Sequence, residues 1–471
     1  MSIIEILKNK RVLILGFGRE GVSTLVYLRK KFPKQKFGVA DERDLDDLPV
    51  ETQKLLQSDL VETFFGKKYL DSVAGYDLIF KSSGVNPHLK PLVAAKEAGK
   101  IFSSNVGVFF EECQGQIIGI TGTKGKSTTS TLIYEVLRRG GKAVRFAGNI
   151  GKPPLDVLTD SDKKDIFVLE LSSFQLMGLT VSPHIAVVQN VTSEHLDYHL
   201  DTEQYVASKS HITKFQNAKD IVVYNASYPN PKKFAALSPG RKLPFSTTFV
   251  EDMTCFLEGD DVMYRAPGAA KVEKVVAAYD VPLQGRFNLQ NVMPAIILGR
   301  EFGVPMKVIV KMLREFQSLE HRLEFVGVTK NNIAFYNDSL STTPEATIAA
   351  LQSFEGKELV LLAGGHERNQ DFVELAKLIL HYKIKALVLF KTTGARLWEE
   401  ILKQASIKFS PPPYVFVRTM KSAVKAAMQF TDENDIVLLS PASASFGIFK
   451  DYADRGNQFK KAVKPFLRPT V

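Results

Sequence analysis

The sequence predicts three α/β domains with mostly parallel sheets, and three observations predict it. Apolar runs of four or five residues recur along the chain, separated by stretches with helical spacing. Two of the runs open into glycine-rich turns that lead straight into a helix: Gly16-Phe17-Gly18-Arg19-Glu20-Gly21 and Gly122-Thr123-Lys124-Gly125-Lys126-Ser127. At 471 residues the chain is too long for one core, and about 150 residues per domain gives three. The expected division is 1–110, 111–318 and 319–471. The first domain should be Rossmann-like, the second built on a phosphate-binding loop (P-loop), and the third Rossmann-like again.

Composition narrows the function classes. Hydrophobic residues make up 45% and charged residues 24%, ordinary values for a soluble globular protein. The net charge of +10 comes from scattered basic residues. It reads as a surface that favours anionic small molecules, with no nucleic-acid partner. Cys113 and Cys255 have no metal-ligand spacing and suggest a reducing compartment. No signal peptide and no apolar run near 18 residues is evident, so a cytoplasmic protein without membrane insertion is expected.

Val12-Leu13-Ile14-Leu15 should be the first strand, and the glycine turn after it is a full Gly-x-Gly-x-x-Gly. Asp41 follows at the end of strand-like Phe37-Gly38-Val39-Ala40, about 20 residues on. Read alone, this is a dinucleotide (NAD) fingerprint. The same glycines could only tighten a βα turn, or bind another diphosphate such as a nucleotide sugar. Leu78-Ile79-Phe80 then leads into Lys81-Ser82-Ser83-Gly84-Val85, a second strand ending in a small-residue turn.

The second glycine turn follows Ile117-Ile118-Gly119-Ile120-Thr121 and precedes a helix with Leu132, Ile133, Val136 and Leu137 on one face, closing at Gly140-Gly141. Backbone N–H groups and a helix N-terminus there attract phosphate, Lys126 adds a point charge, and Ser127 can ligate Mg²⁺. The strict P-loop spacing would need glycine where Ile120 stands, so the match is to a shorter Gly-x-x-Gly-Lys-Ser form. Gly148-Asn149-Ile150-Gly151 reads as a nearby turn. Ile166-Phe167-Val168-Leu169 delivers Glu170 to a strand's C-terminal end, where ligands of open α/β sheets sit. Glu170 is a magnesium ligand or an exposed strand-end carboxylate. His195 lies in a polar turn beyond Ile185-Ala186-Val187-Val188, pointing at the same crevice or simply at the surface. Tyr205 to Lys209 begins a helix carrying a lysine, and sequence logic alone leaves Lys209 solvated.

Together these residues resemble the Mur ligases, ATP-dependent amide-forming enzymes of peptidoglycan synthesis, over essentially the whole chain. The run Glu170-Leu171-Ser172-Ser173-Phe174-Gln175-Leu176 is most similar to the members that add glutamate to UDP-N-acetylmuramoyl-L-alanine. The resemblance implies that Gly122, Thr123, Lys124, Gly125, Lys126, Ser127 and Thr128 hold ATP. It implies two Mg²⁺ ions on Ser127, Glu170, His195 and Lys209, the lysine being carbamylated and so an anionic ligand. Lys126, His195 and Lys209 would be catalytic. Gly16, Phe17, Gly18, Arg19, Asp41, Ser83, Gly84 and Asn149 would face the UDP-substrate.

Later segments follow the same resemblance. In Gly285-Arg286-Phe287-Asn288-Leu289-Gln290-Asn291, Asn288 and Asn291 would approach the adenine, with Phe287 where the family has histidine. Arg322, in Leu319-Glu320-His321-Arg322, would lie near the ATP phosphates, and Asp338 would accept from the ribose; read without the resemblance, both could be surface groups. Leu359-Val360-Leu361-Leu362-Ala363, Ala386-Leu387-Val388-Leu389-Phe390 and Ile436-Val437-Leu438-Leu439 are buried-strand candidates of the third domain. Arg368, Thr342, Ser445 and Tyr452 would hold the incoming glutamate; taken by itself, Ser445 could be a helix cap. The family's Asp-Ser-Lys-Ala-Thr is here Asp338-Ser339-Leu340-Ser341-Thr342, so one cation is missing and Arg368 would be the main carboxylate anchor. The implied product is the D-glutamate adduct, formed by a monomer from small-molecule substrates. The competing expectations are ligation of L-glutamate, a Mur-type ligase adding a different residue or a folylpolyglutamate synthetase, an NAD-dependent oxidoreductase, and a non-catalytic nucleotide-binding protein.

Overall fold

The structure, a computed structural model, describes residues 3–468 apart from 9, 159–161, 193–197, 249–251, 284, 286, 287 and 383. Three sheets carry it. The first comprises β1 (Val12–Leu15), β2 (Phe37–Asp41), β3 (Val61–Phe65), β4 (Leu78–Lys81) and β5 (Ile101–Ser103), all parallel in the order β3-β2-β1-β4-β5. Central β1 is buried along its whole length, as an unbroken Val-Leu-Ile-Leu run requires when helices cover both faces. At Gly38 in β2, an added Cβ would lie 2.4 Å from the ring of Tyr76, which packs over the strand and donates its hydroxyl to Glu62.

The second sheet comprises β6 (Gln116–Thr121), β7 (Val144–Gly148), β8 (Ile166–Glu170), β9 (Ile185–Val188), β10 (Ile221–Asn225), β11 (Arg241–Ser246), β12 (Cys255–Glu258), β13 (Asp261–Arg265) and β14 (Val272–Ala277). Its order is β14-β13-β12-β11-β10-β9-β6-β8-β7, parallel from β7 to β12 and antiparallel through β13 and β14. Strand β6 therefore sits between β8 and β9, and the chain leaves it in opposite directions. That reversal opens a crevice beyond the carboxyl ends of the three strands.

The third sheet comprises β15 (Glu324–Val328), β16 (Ala334–Asn337), β17 (Leu359–Ala363), β18 (Ala386–Phe390), β19 (Tyr414–Val417) and β20 (Ile436–Leu439), ordered β15-β16-β20-β17-β18-β19. Only β15 runs antiparallel to its neighbour. The chain divides into two compact units. Met1–Ala278 with Gln290–Leu313 holds the first two sheets, and Tyr279–Leu289 with Arg314–Val471 holds the third.

The two cysteines are free. Burial pushes the half-buried Cys113 thiol up to about 11, and raises that of the fully buried Cys255 further. Among the described residues, no helix is long and apolar enough to cross a membrane.

Candidate active site

The phosphate loop lies at the end of β6, in the crevice where the strand order reverses. Gly125 caps the helix Lys126–Arg139 with φ +84°, a conformation that L side chains rarely adopt. A Cβ there would also fall 2.3 Å from Asn291 Oδ1, so glycine is required twice over. The Lys126 amine folds back and donates to the loop's own carbonyls, Gly122 O at 2.9 Å and Thr123 O at 3.0 Å. Lys124 and Ser127 are half-buried beside it, and Thr128 is buried in the first helical turn. Thr123 braces the loop from below: its N–H donates to Asn190 O and its hydroxyl meets Tyr205 Oη at 3.0 Å. Asn291 accepts from Thr129 Oγ1 at 3.3 Å.

Glu170 ends β8 and is 1% exposed, so it is not a solvated strand-end carboxylate. Asn149 holds it, with its backbone N–H on Glu170 O and its side-chain amide on Oε1, both at 2.8 Å. Oε2 is buried and has no hydrogen-bond partner among the described residues. An orphaned, buried carboxylate oxygen suits a hard cation that takes oxygen ligands. Among the described residues, no group of three His, Cys, Asp or Glu side chains could hold a metal. A magnesium site would therefore draw on Glu170, Ser127 and phosphate oxygens. His195 lies outside the described residues.

Lys209 is not solvated. It sits in the helix Thr202–Lys214 at 1% exposure, donating to Gly122 O at 3.0 Å and Thr121 Oγ1 at 3.4 Å, with its amine 4.9 Å from the Tyr205 ring centre. The structure thus brings Gly122, Thr123, Lys126, Lys209 and Asn291 together around one loop.

At the first glycine turn the three glycines differ. Gly16 has φ +87° and would clash with Val85, while a Cβ on Gly21 would lie 2.1 Å from Gly16 O. Gly18 faces open space, where a diphosphate could meet the backbone. Arg19, next to it, is exposed. Asp41 accepts the Phe17 N–H and pairs with Arg43 at 2.8 Å. Burial acts to raise its carboxyl, but the Arg43 and Phe17 hydrogen bonds outweigh that and hold it below the usual carboxylate range.

A cavity of about 780 Å³ lies within the first unit. Of the residues expected on the UDP-substrate, Ser83 lines it, while Gly84 is exposed nearby. Sequence reasoning missed three other lining residues. Glu20 accepts from Ser83 N at 3.0 Å and from Gln175 Nε2 at 2.7 Å, joining the two glycine-domain loops to the Ser172–Leu176 run. Lys81 donates to Val85 O at 2.8 Å and Tyr198 Oη at 3.3 Å. Burial pulls its amine down to about 8, against the charge of Glu20. The Tyr198 ring packs against Phe174 at a tilt of 35°, with ring centres 4.0 Å apart. Glu20 occupies a variable position of the fingerprint, which gives no sequence signal; the strand-end position of Lys81 was the available one.

In the second unit Asp338 is fully enclosed. Its oxygens accept from Leu323 N at 3.1 Å, Ser341 Oγ at 2.5 Å and Ser440 Oγ at 2.8 Å. Burial pushes its carboxyl up to about 6, with those bonds and the half-buried Arg322 acting the other way. Asn288 is buried and belongs to this unit. Arg368 is exposed, its guanidinium 5.6 Å from the Phe446 ring centre. Thr342 accepts from Gln370 Nε2 through its carbonyl at 2.7 Å, and Leu340 is half-buried. Ser445 is 3% exposed and caps no helix, since the helix Tyr452–Val463 is capped by Asp451. Tyr452 opens that helix, 43% exposed. Phe287 lies outside the described residues.

Two family models match the chain: the Mur ligase middle domain over residues 120–299, and the Mur ligase glutamate ligase domain over residues 321–443. A UDP-N-acetylmuramoylalanine--D-glutamate ligase of Acetivibrio thermocellus is 36% identical over 461 residues, covering 97% of each chain. One of Clostridium botulinum strain Hall is 33% identical over 460 residues, covering 98% of this chain and 97% of that one. In fold the chain is similar to the MurF ligase of Thermotoga maritima in complex with ADP, with TM-score 0.58, 16% identity, and 97% and 96% of the two chains covered. It is likewise similar to the UDP-N-acetylmuramate-alanine ligase MurC of Thermotoga maritima, with TM-score 0.57, 18% identity, and 97% and 100% covered.

Proposed function

The chain belongs to the Mur ligase family, and on that premise we propose that it joins D-glutamate to UDP-N-acetylmuramoyl-L-alanine at the expense of ATP, in peptidoglycan precursor synthesis. The observation that carries the reading is the crevice at β6. There a glycine loop, a helix N-terminus, Lys126 and a buried carboxylate meet, one oxygen of which has no partner among the described residues. That combination fits a nucleotide triphosphate with magnesium. The L-alanine carboxylate attacks the γ-phosphate of ATP, releasing ADP and leaving an acyl phosphate. The glutamate amine adds to its carbonyl, and phosphate departs from the tetrahedral intermediate. Glu170, Ser127, His195 and a carbamylated Lys209 would hold magnesium, two ions being the proposed number, and the metal would neutralise charge on the phosphoryl oxygens. Lys126 leaves its carbonyl partners and offsets charge on the transferred group.

The proposed division of labour follows the segments 1–110 for the UDP-substrate, 111–318 for ATP and 319–471 for glutamate. The first glycine turn binds UDP rather than NAD, supported by the Asp41 carboxylate being already engaged by Phe17 and Arg43. The glutamate carboxylate is held by Arg368, a planar bidentate donor that stands in for the cation lost at Leu340. Arg368→Ala should raise the glutamate KM strongly while the other KM values move little. A cytoplasmic monomer is part of the same reading, the location supported by two thiols that form no disulfide.

The test is ADP release with UDP-N-acetylmuramoyl-L-alanine and each glutamate enantiomer in turn. Release with D-glutamate is expected. A higher kcat/KM for L-glutamate would reverse the stereochemical reading, and release with neither would reject the ligase reading.

A further inference from the structure

Among the described residues Arg455 is the largest fully buried side chain, at 0% exposure. A cation so deep is costly unless its donors are used, and packing alone would be better served by an apolar side chain. All of its described hydrogen bonds go to two loops. Nε donates to Ser339 Oγ at 2.9 Å and Nη2 to Ser339 O at 2.8 Å, both in the turn after β16. Nη1 donates to Ser443 O at 2.9 Å, in the turn after β20. Ser339 Oγ passes the connection on to Tyr452 O at 2.7 Å.

A third loop is tied in behind these two. After β17, Gly364 N–H donates to Pro441 O and His366 N–H to Ala444 O, both at 2.8 Å. Gly365 stands between them with no room for a side chain: a Cβ would fall 2.3 Å from Ala444 O and 3.2 Å from Arg455 Nη1. Strands β16, β20 and β17 are neighbours in the sheet, so one guanidinium spans the carboxyl ends of adjacent strands. The two turns it bonds carry Thr342 after β16 and Ser445 after β20, the turn tied in behind them carries Arg368 after β17, and its own helix begins with Tyr452.

We propose that Arg455 is a positioning residue for the amino-acid subsite, fixing the spacing of the three loops that carry Thr342, Ser445 and Arg368. The proposal rests on the glutamate reading given above. Burial draws the guanidinium down to about 9, against the charge of Asp338, so it is still a cation at neutral pH. Lysine keeps the charge but not the rigid planar fork that serves two loops at once.

Arg455→Lys is therefore the first variant, compared with wild type in the full chain. Its folded state is checked by urea denaturation, and KM is measured separately for glutamate, ATP and the UDP-substrate. The glutamate KM should rise about tenfold or more, with the other two within about twofold. Ser339→Ala removes one acceptor and leaves the cation, and should raise the same KM by a smaller factor. It decides the matter should Arg455→Lys fail to fold. An unchanged glutamate KM in the folded variants, or three KM values rising together, would overturn the proposal. A wild type that uses another amino acid in place of glutamate overturns the substrate reading alone, and the split is then measured on the amino acid it does use.

Discussion

Lys209 and Lys126 point to the same carbonyl, Gly122 O, from opposite sides of the chain's order. Only Lys126 was legible from spacing, because a lysine after a glycine turn has a spacing and a lysine inside a helix has none; Lys209 came from the family resemblance alone. Burial of Lys209 depends on which helix the fold lays beside β6, a long-range fact that local pattern does not contain. Lys126→Ala should lower kcat/KM by on the order of 10²-fold or more, read by coupled ADP release. Near-full activity would remove the loop from the chemistry. Asp338 gives a second prediction at this scale. Its folded carboxyl titrates at about 6, above the ordinary 3.8. Between those values the folded chain keeps a proton that the unfolded chain has released, so this group's contribution makes stability fall as pH rises through the window. Asp338→Asn should remove that slope. Urea denaturation at pH 4.5 and pH 7 checks it: an Asn-minus-Asp stability difference that does not grow with pH would contradict the assignment.

At the scale of elements, the strands that were legible are those buried on both faces. Val12–Leu15, Ile166–Glu170, Ala386–Phe390 and Ile436–Leu439 all appear where unbroken apolar runs predict them. The meander β12–β14 was not foreseen. Only β13 alternates in burial, and the short apolar runs of β12 and β14 are bounded or broken by Glu258, Asp261 and Lys274. The signal was there in Gly259-Asp260, a two-residue turn closed by the pair Glu258 and Asp261. Strand β3 was missed for a related reason, since none of its five residues is fully buried. Gly38 tests how tightly an element is fitted. Gly38→Ala pushes a methyl against the Tyr76 ring in the interior of a parallel strand, and should destabilise the protein by about 1–3 kcal/mol. A denaturation midpoint equal to wild type would show that the ring moves aside freely.

For the whole molecule, the division into two units makes ligand linkage informative. The phosphate loop belongs wholly to the first unit, while Arg322 and Asp338 belong to the second. A nucleotide bound at 100 times its Kd stabilises the state that binds it by about 2.7 kcal/mol. Magnesium and ATP should accordingly raise the thermal midpoint of wild type by a few degrees and leave Lys126→Ala unmoved, as measured by scanning fluorimetry. An equal rise in both would place the nucleotide elsewhere. The net charge of +10 adds a field that draws anionic substrates in, and it weakens with salt.

The two native thiols open a route to watching those units work. Cys255 is sealed and burial raises the Cys113 thiol to about 11, which keeps the thiolate fraction low for a maleimide dye at pH 7. Cysteines introduced at Val50 in the first unit and Ile407 in the second, both exposed, can then carry a donor and an acceptor fluorophore without stripping the native pair. Energy transfer between the dyes would report whether turnover changes the distance between the two labels, one molecule at a time.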